Sequence, residues 1–381
     1  MPNNLLARLE SCGYEHVMKL CFLAAANSPH SHRWIQYFAD KGHEVHWISM
    51  TPFEGGGPSN IVCYDFSGSG SKWKDFAKAA LRIRGLVAQI KPDILHAHYA
   101  GVNGVLGALA RFQPYVLTAW GSDVLFVGSE RVRGIPVRWA LRTAKLVTCD
   151  AYHMIDAMRA LGIDIAKIHL VFFGVEINRF TPGGLDEAII DRWGAQGRPI
   201  VISLRNLEPI YDIATLLDAV PAVAKEFPQV LFVVCGSGSQ EAALKQRAGT
   251  LGIEANVLFT GRYANAELPR MLRSAQVYVS TSLSDAGIAA STAEAMACGI
   301  AAVVTNTGEN HKWIEGGKTG FLVAARDSAA LAKRIIECLH SGDLRIRVGT
   351  AGRAIIVERN SFDREMEKME RLYEGLLAAR C

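Results

Sequence analysis

The chain has 381 residues, enough for two domains of the usual ~100–200 residues each. Half of the residues are hydrophobic and a fifth are charged, which excludes an intrinsically disordered chain and favours a well-packed soluble protein. The longest apolar runs fall well short of the roughly 20 residues that span a bilayer, so we expect no transmembrane helix. Residues 1–17 lack the apolar core of a secretory signal.

Positive charge is concentrated in one part of the chain, whereas the cysteines are scattered. Residues 67–149 contain twelve Lys and Arg against four Asp and Glu, although the whole chain carries only +4. A basic segment of this kind predicts an anionic partner, either a phospholipid surface, a pyrophosphate-linked acceptor or nucleic acid. The eight cysteines form no CxxC pair and do not cluster with histidine, which predicts free thiols in a reducing cytoplasm and no zinc site.

Strands and helices alternate through the first half of the chain. The predicted strands cover 18–26, 44–49, 93–98, 115–120 and 145–149. The predicted helices cover 32–40, 72–91 and 104–111. Alternation of this kind predicts a parallel sheet with helices on both faces.

A turn-rich linker over 173–184 precedes a second alternation, and the chain ends in a charged amphipathic helix over 364–380. The predicted strands of the second half cover 199–204, 230–235, 257–260, 277–281 and 301–305. Its predicted helices cover 213–227, 240–251, 267–274, 291–297 and 328–341. The fold class is therefore α/β with two doubly wound units, and ligands bind such units at the carboxyl ends of the strands.

The segment 277–299 carries the most informative pattern. A strand is followed by a loop of small residues and then by a helix that contains Glu294. Such a loop lets main-chain N–H groups approach a ligand closely, and the positive end of the helix dipole favours an anion, so the pattern predicts a phosphate site. Glu294 either accepts hydrogen bonds from sugar hydroxyls, typically of a ribose, or is an acid favoured by the helix dipole.

The run Ala-Glu-Ala-Met-Ala-Cys-Gly at 293–299 resembles the donor-binding signature of the retaining glycosyltransferase family 4. Residues 236–238, 260–263, 305–309 and 317–323 resemble further blocks of that family in the same order. The resemblance implies the GT-B fold, in which two facing Rossmann-like doubly wound domains enclose an interdomain cleft.

The same resemblance implies a division of labour between the domains. An acceptor-binding domain would cover 1–180, with the last helix, 364–381, packing back onto it. A domain that binds the nucleotide-sugar donor would cover 181–363.

Donor binding is implied for residues of the second domain. Members of the family have two acids eight positions apart, but here the first position holds Ala286, and Asp285 lies nine residues before Glu294. Asp285 either holds the donor sugar after an insertion of one residue in the loop or is a turn residue. The other implied donor contacts are Gly236, Gly238, Arg262, Tyr263, Gly287, Ile288, Ala289 and Ser291.

The diphosphate clamp of the family pairs an Arg with a Lys after the first strand of the donor domain. Arg205 supplies the Arg, whose planar fork suits a diphosphate, while Tyr211 lies where the Lys is expected. Catalysis would consist mainly of stabilising the negative charge on the departing diphosphate. The implied catalytic residues are Asp285, Arg205 and His98.

Acceptor contacts are implied at strand ends of the first domain. Trp120 stands where many members have His, and since an indole accepts no proton it would stack on a sugar or pack at the strand end. His98 would hydrogen-bond donor or acceptor, or serve as a structural histidine. The remaining acceptor candidates are Asn27, Ser28, His30 and Asp123.

Together these features predict a retaining glycosyltransferase that uses a UDP- or GDP-sugar as co-substrate and acts on a saccharide or lipid-linked acceptor in cell-surface polysaccharide synthesis. We expect no cofactor, no metal ion and no nucleic acid partner. The expected location is the cytoplasm, with peripheral contact to an anionic membrane through the basic helix over 72–91, unless that helix only packs in its domain. The alternatives are a catalytically weak sugar-nucleotide-binding protein and a sugar-nucleotide epimerase of the same fold.

Overall fold

The computed structural model describes residues 17–68, 71–285 and 287–379. They form two compact units, a first unit within Met1–Phe173 and Arg364–Cys381 and a second unit over Gly174–Asp363. No described helix is both long enough and apolar enough to cross a membrane.

The described part of the first unit is built on a parallel sheet in the order β3-β2-β1-β4-β5-β6-β7. Its central strands are almost completely buried, as strands with helices on both faces must be. The strands are β1 (Lys19–Leu23), β2 (Glu44–Ser49), β3 (Val62–Asp65), β4 (Ile94–His98), β5 (Tyr115–Thr118), β6 (Leu146–Cys149) and β7 (Ile168–Leu170). The helices are α1 (Pro29–Asp40), α2 (Lys72–Ile90), α3 (Val102–Leu109), α4 (Gly134–Thr143) and α5 (Tyr152–Ala160), with a π-helix at Asp123–Gly128.

The second unit repeats this plan with a parallel sheet in the order β10-β9-β8-β11-β12-β13. The strands are β8 (Ile200–Ser203), β9 (Leu231–Cys235), β10 (Val257–Gly261), β11 (Val277–Ser280), β12 (Ala301–Thr305) and β13 (Phe321–Val323). The helices are α6 (Glu187–Trp193), α7 (Ile213–Glu226), α8 (Glu241–Leu251), α9 (Leu268–Arg273), α10 (Ala290–Ala297), α11 (Asn310–Trp313), α12 (Ser328–His340) and α13 (Gly342–Arg359). The last helix of the chain is α14 (Phe362–Ala378).

Helix α1 illustrates how local sequence sets the element boundaries. Ser28 caps its first turn by accepting a hydrogen bond from the N–H of Ser31, and Pro29 occupies the first helical position, where no N–H is needed. The helix ends at Asp40, before Gly42 with its positive φ of 89°. Trp34 and Phe38 are buried and tie the helix to the sheet, since the Phe38 ring stacks on Phe22 of β1 and the Trp34 ring contacts His98 of β4.

A buried chain of hydrogen bonds joins the last helix to the sheet of the first unit. The Tyr373 hydroxyl lies 2.5 Å from His96 Nδ1, and His96 Nε2 lies 2.6 Å from Thr118 Oγ1. Thr118 in turn lies 2.6 Å from the hydroxyl of Thr148. Burial lowers the pKa of His96, so its imidazole is neutral and serves as donor at one nitrogen and acceptor at the other.

We predict that Tyr373→Phe destabilises the first unit by about 1–3 kcal/mol, because it leaves a buried imidazole nitrogen without a partner. Urea unfolding followed by tryptophan fluorescence measures this loss. Tyr99→Phe is the control, since the Tyr99 side chain is partly exposed. Equal stability of the two variants would contradict a structural role for the chain.

Candidate active site

The strand order defines where each unit should bind a ligand. In the first unit the order reverses between β1 and β4, and in the second between β8 and β11. Connections at such a pair leave toward opposite faces of the sheet and open a crevice at the carboxyl ends. The loops concerned carry Arg205 and Asp285 in the second unit. In the first unit, His98 is the last residue of β4 and His30 lies in the first turn of α1, which follows β1.

Arg205 and Asp285 form a nearly buried ion pair at the crevice of the second unit. Arg205 Nη2 lies 2.6 Å from Asp285 Oδ1, and the two side chains are only 11% and 7% exposed. The guanidinium also lies over the Tyr211 ring, 4.3 Å from its centroid, a cation–π contact. Burial raises the pKa of the Asp285 carboxyl, and the Arg205 cation opposes that rise.

This pairing was not predicted from the sequence, which treated the two residues as separate ligand contacts. Tyr211, which the resemblance put at the position of the clamp lysine, stacks on the Arg205 guanidinium. Within the described part of the chain, Arg205 Nε is buried without a hydrogen-bond partner. The guanidinium therefore still has donor capacity for an anion that enters the crevice.

The glycine turn after β9 supports the Arg205 loop. Gly236 has φ +127°, and a Cβ at this position would lie 2.8 Å from the carbonyl oxygen of Arg205. A Cβ on Gly238 would meet the Leu207 carbonyl. These two glycines thus permit a close approach of the chain to itself, and their implied contact with the donor stays a prediction. Arg262 is exposed and donates from Nε to Ser237 of this turn at 3.0 Å.

Helix α10 begins directly after the loop that contains Gly287, Ile288 and Ala289. Ser291 in its first turn is held by the Tyr278 hydroxyl at 2.8 Å. Tyr263 lies near Glu294, and burial together with neighbouring acidic groups raises the pKa of its phenol. Tyr263 is therefore protonated and able to donate a hydrogen bond at neutral pH.

An aromatic cluster occupies the crevice side of the first unit. His30 stacks on Phe173 at 4.5 Å between centroids and contacts Trp120 at 5.4 Å. Trp120 lies 5.5 Å from His98 and 6.4 Å from Trp34. Among the described residues, the buried nitrogens Trp34 Nε1, His98 Nε2 and Trp120 Nε1 have no hydrogen-bond partner. The cluster thus combines apolar rings with polar atoms that remain available.

Several predicted acceptor residues have structural roles here. Burial lowers the pKa of His98 to about 3, which makes it a weak base at neutral pH, and its Nδ1 lies 3.2 Å from the Ser31 hydroxyl. Asp123 is fully buried, and its carboxylate accepts hydrogen bonds from the N–H groups of Ala100, Trp120 and Val124. It therefore shapes the loop after β5, since its oxygens already have partners.

The two loop residues near β1 differ in availability. Ser28 caps helix α1, whereas Asn27 is exposed.

Trp34 and Phe173 were missed by the sequence analysis, although Trp34 lies four residues after His30 on the same helix face. Phe173 follows β7, and no local pattern connects it with β1.

The described residues contain no group of three or more His, Cys, Asp or Glu that could hold a metal ion.

Two family descriptions match the two units. Residues 186–355 match "Glycosyl transferases group 1", and residues 19–151 match "Glycosyl transferase 4-like". A phosphatidyl-myo-inositol mannosyltransferase of Mycobacterium leprae is 32% identical over 295 residues, which cover 77% of this chain and 76% of that protein. An N-acetyl-alpha-D-glucosaminyl L-malate synthase of Bacillus anthracis is 24% identical, covering 89% and 91%.

Solved structures show the same fold. Anabaena HepE, crystallised in complex with UDP, is 20% identical with a TM-score of 0.77, covering 94% of this chain and 100% of that one. Sucrose-phosphate synthase from Thermosynechococcus elongatus is 18% identical with a TM-score of 0.79, covering 95% and 100%. These neighbours confirm the predicted GT-B fold class.

The lowered histidine pKa values predict loss of stability in acid. The unfolded chain protonates His30 below about pH 6.5, whereas burial and the Arg33 charge lower the folded pKa to about 4. The stability contributed by neutral His30 is therefore complete above pH 6.5 and is lost as the pH falls toward 4. His30→Phe should flatten the pH profile of the unfolding free energy by about 1.4 kcal/mol per pH unit in this window. Parallel profiles for the two proteins would contradict the shift.

Asp285→Asn should destabilise the second unit by about 3 kcal/mol, because it leaves the Arg205 cation buried without a counter-ion. Added pyrophosphate should then raise the melting temperature of this variant more than that of the wild type, since the anion meets an unpaired guanidinium.

The matched control is Asp218→Asn. Asp218 pairs with Arg247 at the same 2.6 Å, but these side chains are 30% and 45% exposed. Its loss should cost at most about 1 kcal/mol, with no added response to pyrophosphate. If pyrophosphate raises the melting temperature of Asp285→Asn no more than that of this control, Asp285 does not block an anion-binding site on the Arg205 guanidinium.

Proposed function

The chain belongs to the glycosyl transferases group 1 family and is a glycosyltransferase, and we propose that it transfers a sugar from a nucleotide-diphosphate sugar of the UDP or GDP type. The proposed acceptor is a saccharide or lipid-linked saccharide, the product is a cell-surface polysaccharide, and the anomeric configuration is retained. The observation that carries the donor assignment is the nearly buried guanidinium of Arg205 at the β8/β11 crevice.

Several features around this crevice favour a diphosphate. Arg205 offers a planar guanidinium that matches phosphate oxygens, and partial burial strengthens its electrostatic attraction to an anion. The loop before α10 contains Gly287 and leads into the positive end of that helix. In this proposal the diphosphate takes the place of Asp285 on Arg205, and the released carboxylate accepts hydrogen bonds from hydroxyls of the donor sugar.

Glu294 and Tyr263 complete the proposed donor site. Glu294 lies on the second turn of α10, where its carboxylate would accept from the ribose hydroxyls. The protonated Tyr263 phenol would donate to the nucleotide. Arg262 is exposed at the same strand end and adds positive charge.

The proposed chemical step breaks the bond between the anomeric carbon and the diphosphate oxygen, and the electron pair leaves with the diphosphate. The acceptor hydroxyl oxygen forms the new bond on the same face of the sugar, and its proton passes to the departing phosphate oxygen. Arg205 stabilises the charge that grows on this leaving group.

The acceptor is the least constrained part of the proposal. The rings of His30 and Trp120 provide apolar faces, and Trp120 Nε1 has no hydrogen-bond partner among the described residues, a combination that suits a sugar ring. The named relatives act on malate and on phosphatidyl-myo-inositol, which supports either a small polar or a lipid-linked acceptor. A lipid-linked acceptor would also require peripheral membrane contact in the cytoplasm.

A donor panel tests the proposal. The protein is incubated with UDP-, GDP- and ADP-sugars, with and without lipid-linked and soluble saccharide acceptors. We expect release of nucleoside diphosphate together with a larger glycan for one donor. Tight binding without turnover would instead indicate a sugar-nucleotide-binding protein, and an altered sugar still attached to its nucleotide would indicate an epimerase.

Arg205→Gln and Glu294→Gln should each weaken binding of the active donor by about tenfold or more in titration calorimetry, since each removes a charge-assisted hydrogen bond. Arg270→Gln is the matched control, because Arg270 lies in an exposed ion pair with Asp186 at 2.7 Å elsewhere in the second unit. Unchanged affinity in both site variants would overturn the proposed donor site.

A further inference from the structure

The basic helix α2 packs most of its apolar side into its own unit, which is one of the two roles that the sequence left open for it. Ile83 and Val87 are at most 1% exposed and belong to the core of the first unit, and Phe76 packs against that core. This arrangement leaves Trp73 and Leu81 as isolated exposed residues on other parts of the helix.

A second surface of the first unit combines exposed apolar side chains with cations. We call it the α4 patch, and it extends from the π-helix into helix α4. Its apolar members are Phe126, Val132, Ile135 and Trp139, which are 69%, 72%, 57% and 42% exposed. Its exposed basic members are Arg131, Arg133, Arg142 and Lys145.

Close packing and hydrogen bonds hold the backbone beneath the α4 patch. Gly134 lies so close to the carbonyls of Val127 and Gly128 that a Cβ would clash with both, which packs the start of α4 onto the end of the π-helix. Arg138 donates hydrogen bonds to the carbonyls of Gly128, Glu130 and Arg131. The turn is thus held against the helix, and its exposed apolar side chains are presented from a fixed backbone.

Spacing places the apolar and basic members together. Ile135 and Trp139 are four residues apart on α4 and share one face, and Arg142 follows at the next turn. The side chains of α4 that enter the core are Val137, Ala140 and Leu141, on another face. Glu130 is the sole acid between residues 129 and 145.

We propose that the α4 patch docks the enzyme on an anionic lipid surface. Phe126, Val132, Ile135 and Trp139 enter the headgroup region, and the basic members contact lipid phosphates. The inference deepens the proposed function, since it rests on a lipid-linked acceptor for its biological use. The commitment to an anionic lipid follows from charge, because the patch carries four exposed cations against the single acid Glu130, and each Lys or Arg near an anionic lipid surface gains about 1 kcal/mol.

The test is sedimentation of the full chain with vesicles. One set contains equal parts of phosphatidylglycerol and phosphatidylcholine, and the other contains phosphatidylcholine alone. The wild type should bind the anionic set and lose binding as salt is added. Phe126→Ser with Val132→Ser should weaken partitioning by about tenfold or more. Arg131→Gln with Arg133→Gln should weaken it by roughly twentyfold, about fivefold for each cation.

The matched control lies in the second unit. Ile346 is 69% exposed and is followed by the exposed Arg347, so Ile346→Ser with Arg347→Gln removes the same kinds of side chain elsewhere. This control should bind vesicles as the wild type does. Retained calorimetric affinity for the donor, and retained diphosphate release with a soluble acceptor, separate a failure of docking from a failure of the proposed function.

Four results would overturn the proposal. The first is a wild type that does not bind anionic vesicles. The second is a control variant that loses as much vesicle binding as the patch variants do. The third is a loss confined to Trp73→Ser with Leu81→Ser, which would move docking to helix α2. The fourth is a wild-type dimer in sedimentation velocity that the patch variants convert to a monomer, which would make the patch an interface between two copies.

Discussion

The second unit is organised around one cation that is almost excluded from water. A guanidinium at this depth needs a counter-ion, stacking partners and a fixed main chain. Asp285 supplies the charge and Tyr211 the aromatic face, while Gly236 allows the β9 turn to press against the Arg205 carbonyl. Loops from β8, β9 and β11 are thereby fixed with respect to one another. An anion that binds here exchanges partners with an existing ion pair, so it enters a site whose geometry is already set.

The sequence predicted the alternation of elements well, and its failures have definite physical causes. Strands β2 and β12 were predicted to the residue, and both are almost completely buried, β12 as a largely apolar run. Helix α13 was missed because Gly349 and Gly352 look like helix breakers, yet a Cβ on either would clash with the carbonyl of Gly299 or Thr319. These glycines serve close packing. Strand β3 was missed because it is a partly exposed edge strand with no continuous apolar run.

The sequence could indicate which residues belong to the candidate site, but not which of them contact one another. Motif spacing placed Arg205 and Asp285 near a ligand, but no spacing rule reveals that two groups 80 residues apart neutralise each other. Asp123 shows the opposite case. Its position after a strand suggested a ligand contact, whereas burial required three main-chain donors to satisfy it. Chain position indicates which residues reach the crevice. Only the three-dimensional packing shows which of their polar atoms still lack a hydrogen-bond partner there.

The positive charge of residues 67–149 leads to a related conclusion about surfaces. Helix α2 is amphipathic, and its own unit buries most of its apolar side, as Ile83 and Val87 show. Helix α4 buries a short face, so Ile135 and Trp139 fall outside the core pattern and remain exposed beside cations. Apolar residues outside the buried face of a helix are available to a partner. On α4 these residues share a surface with the arginines of the α4 patch.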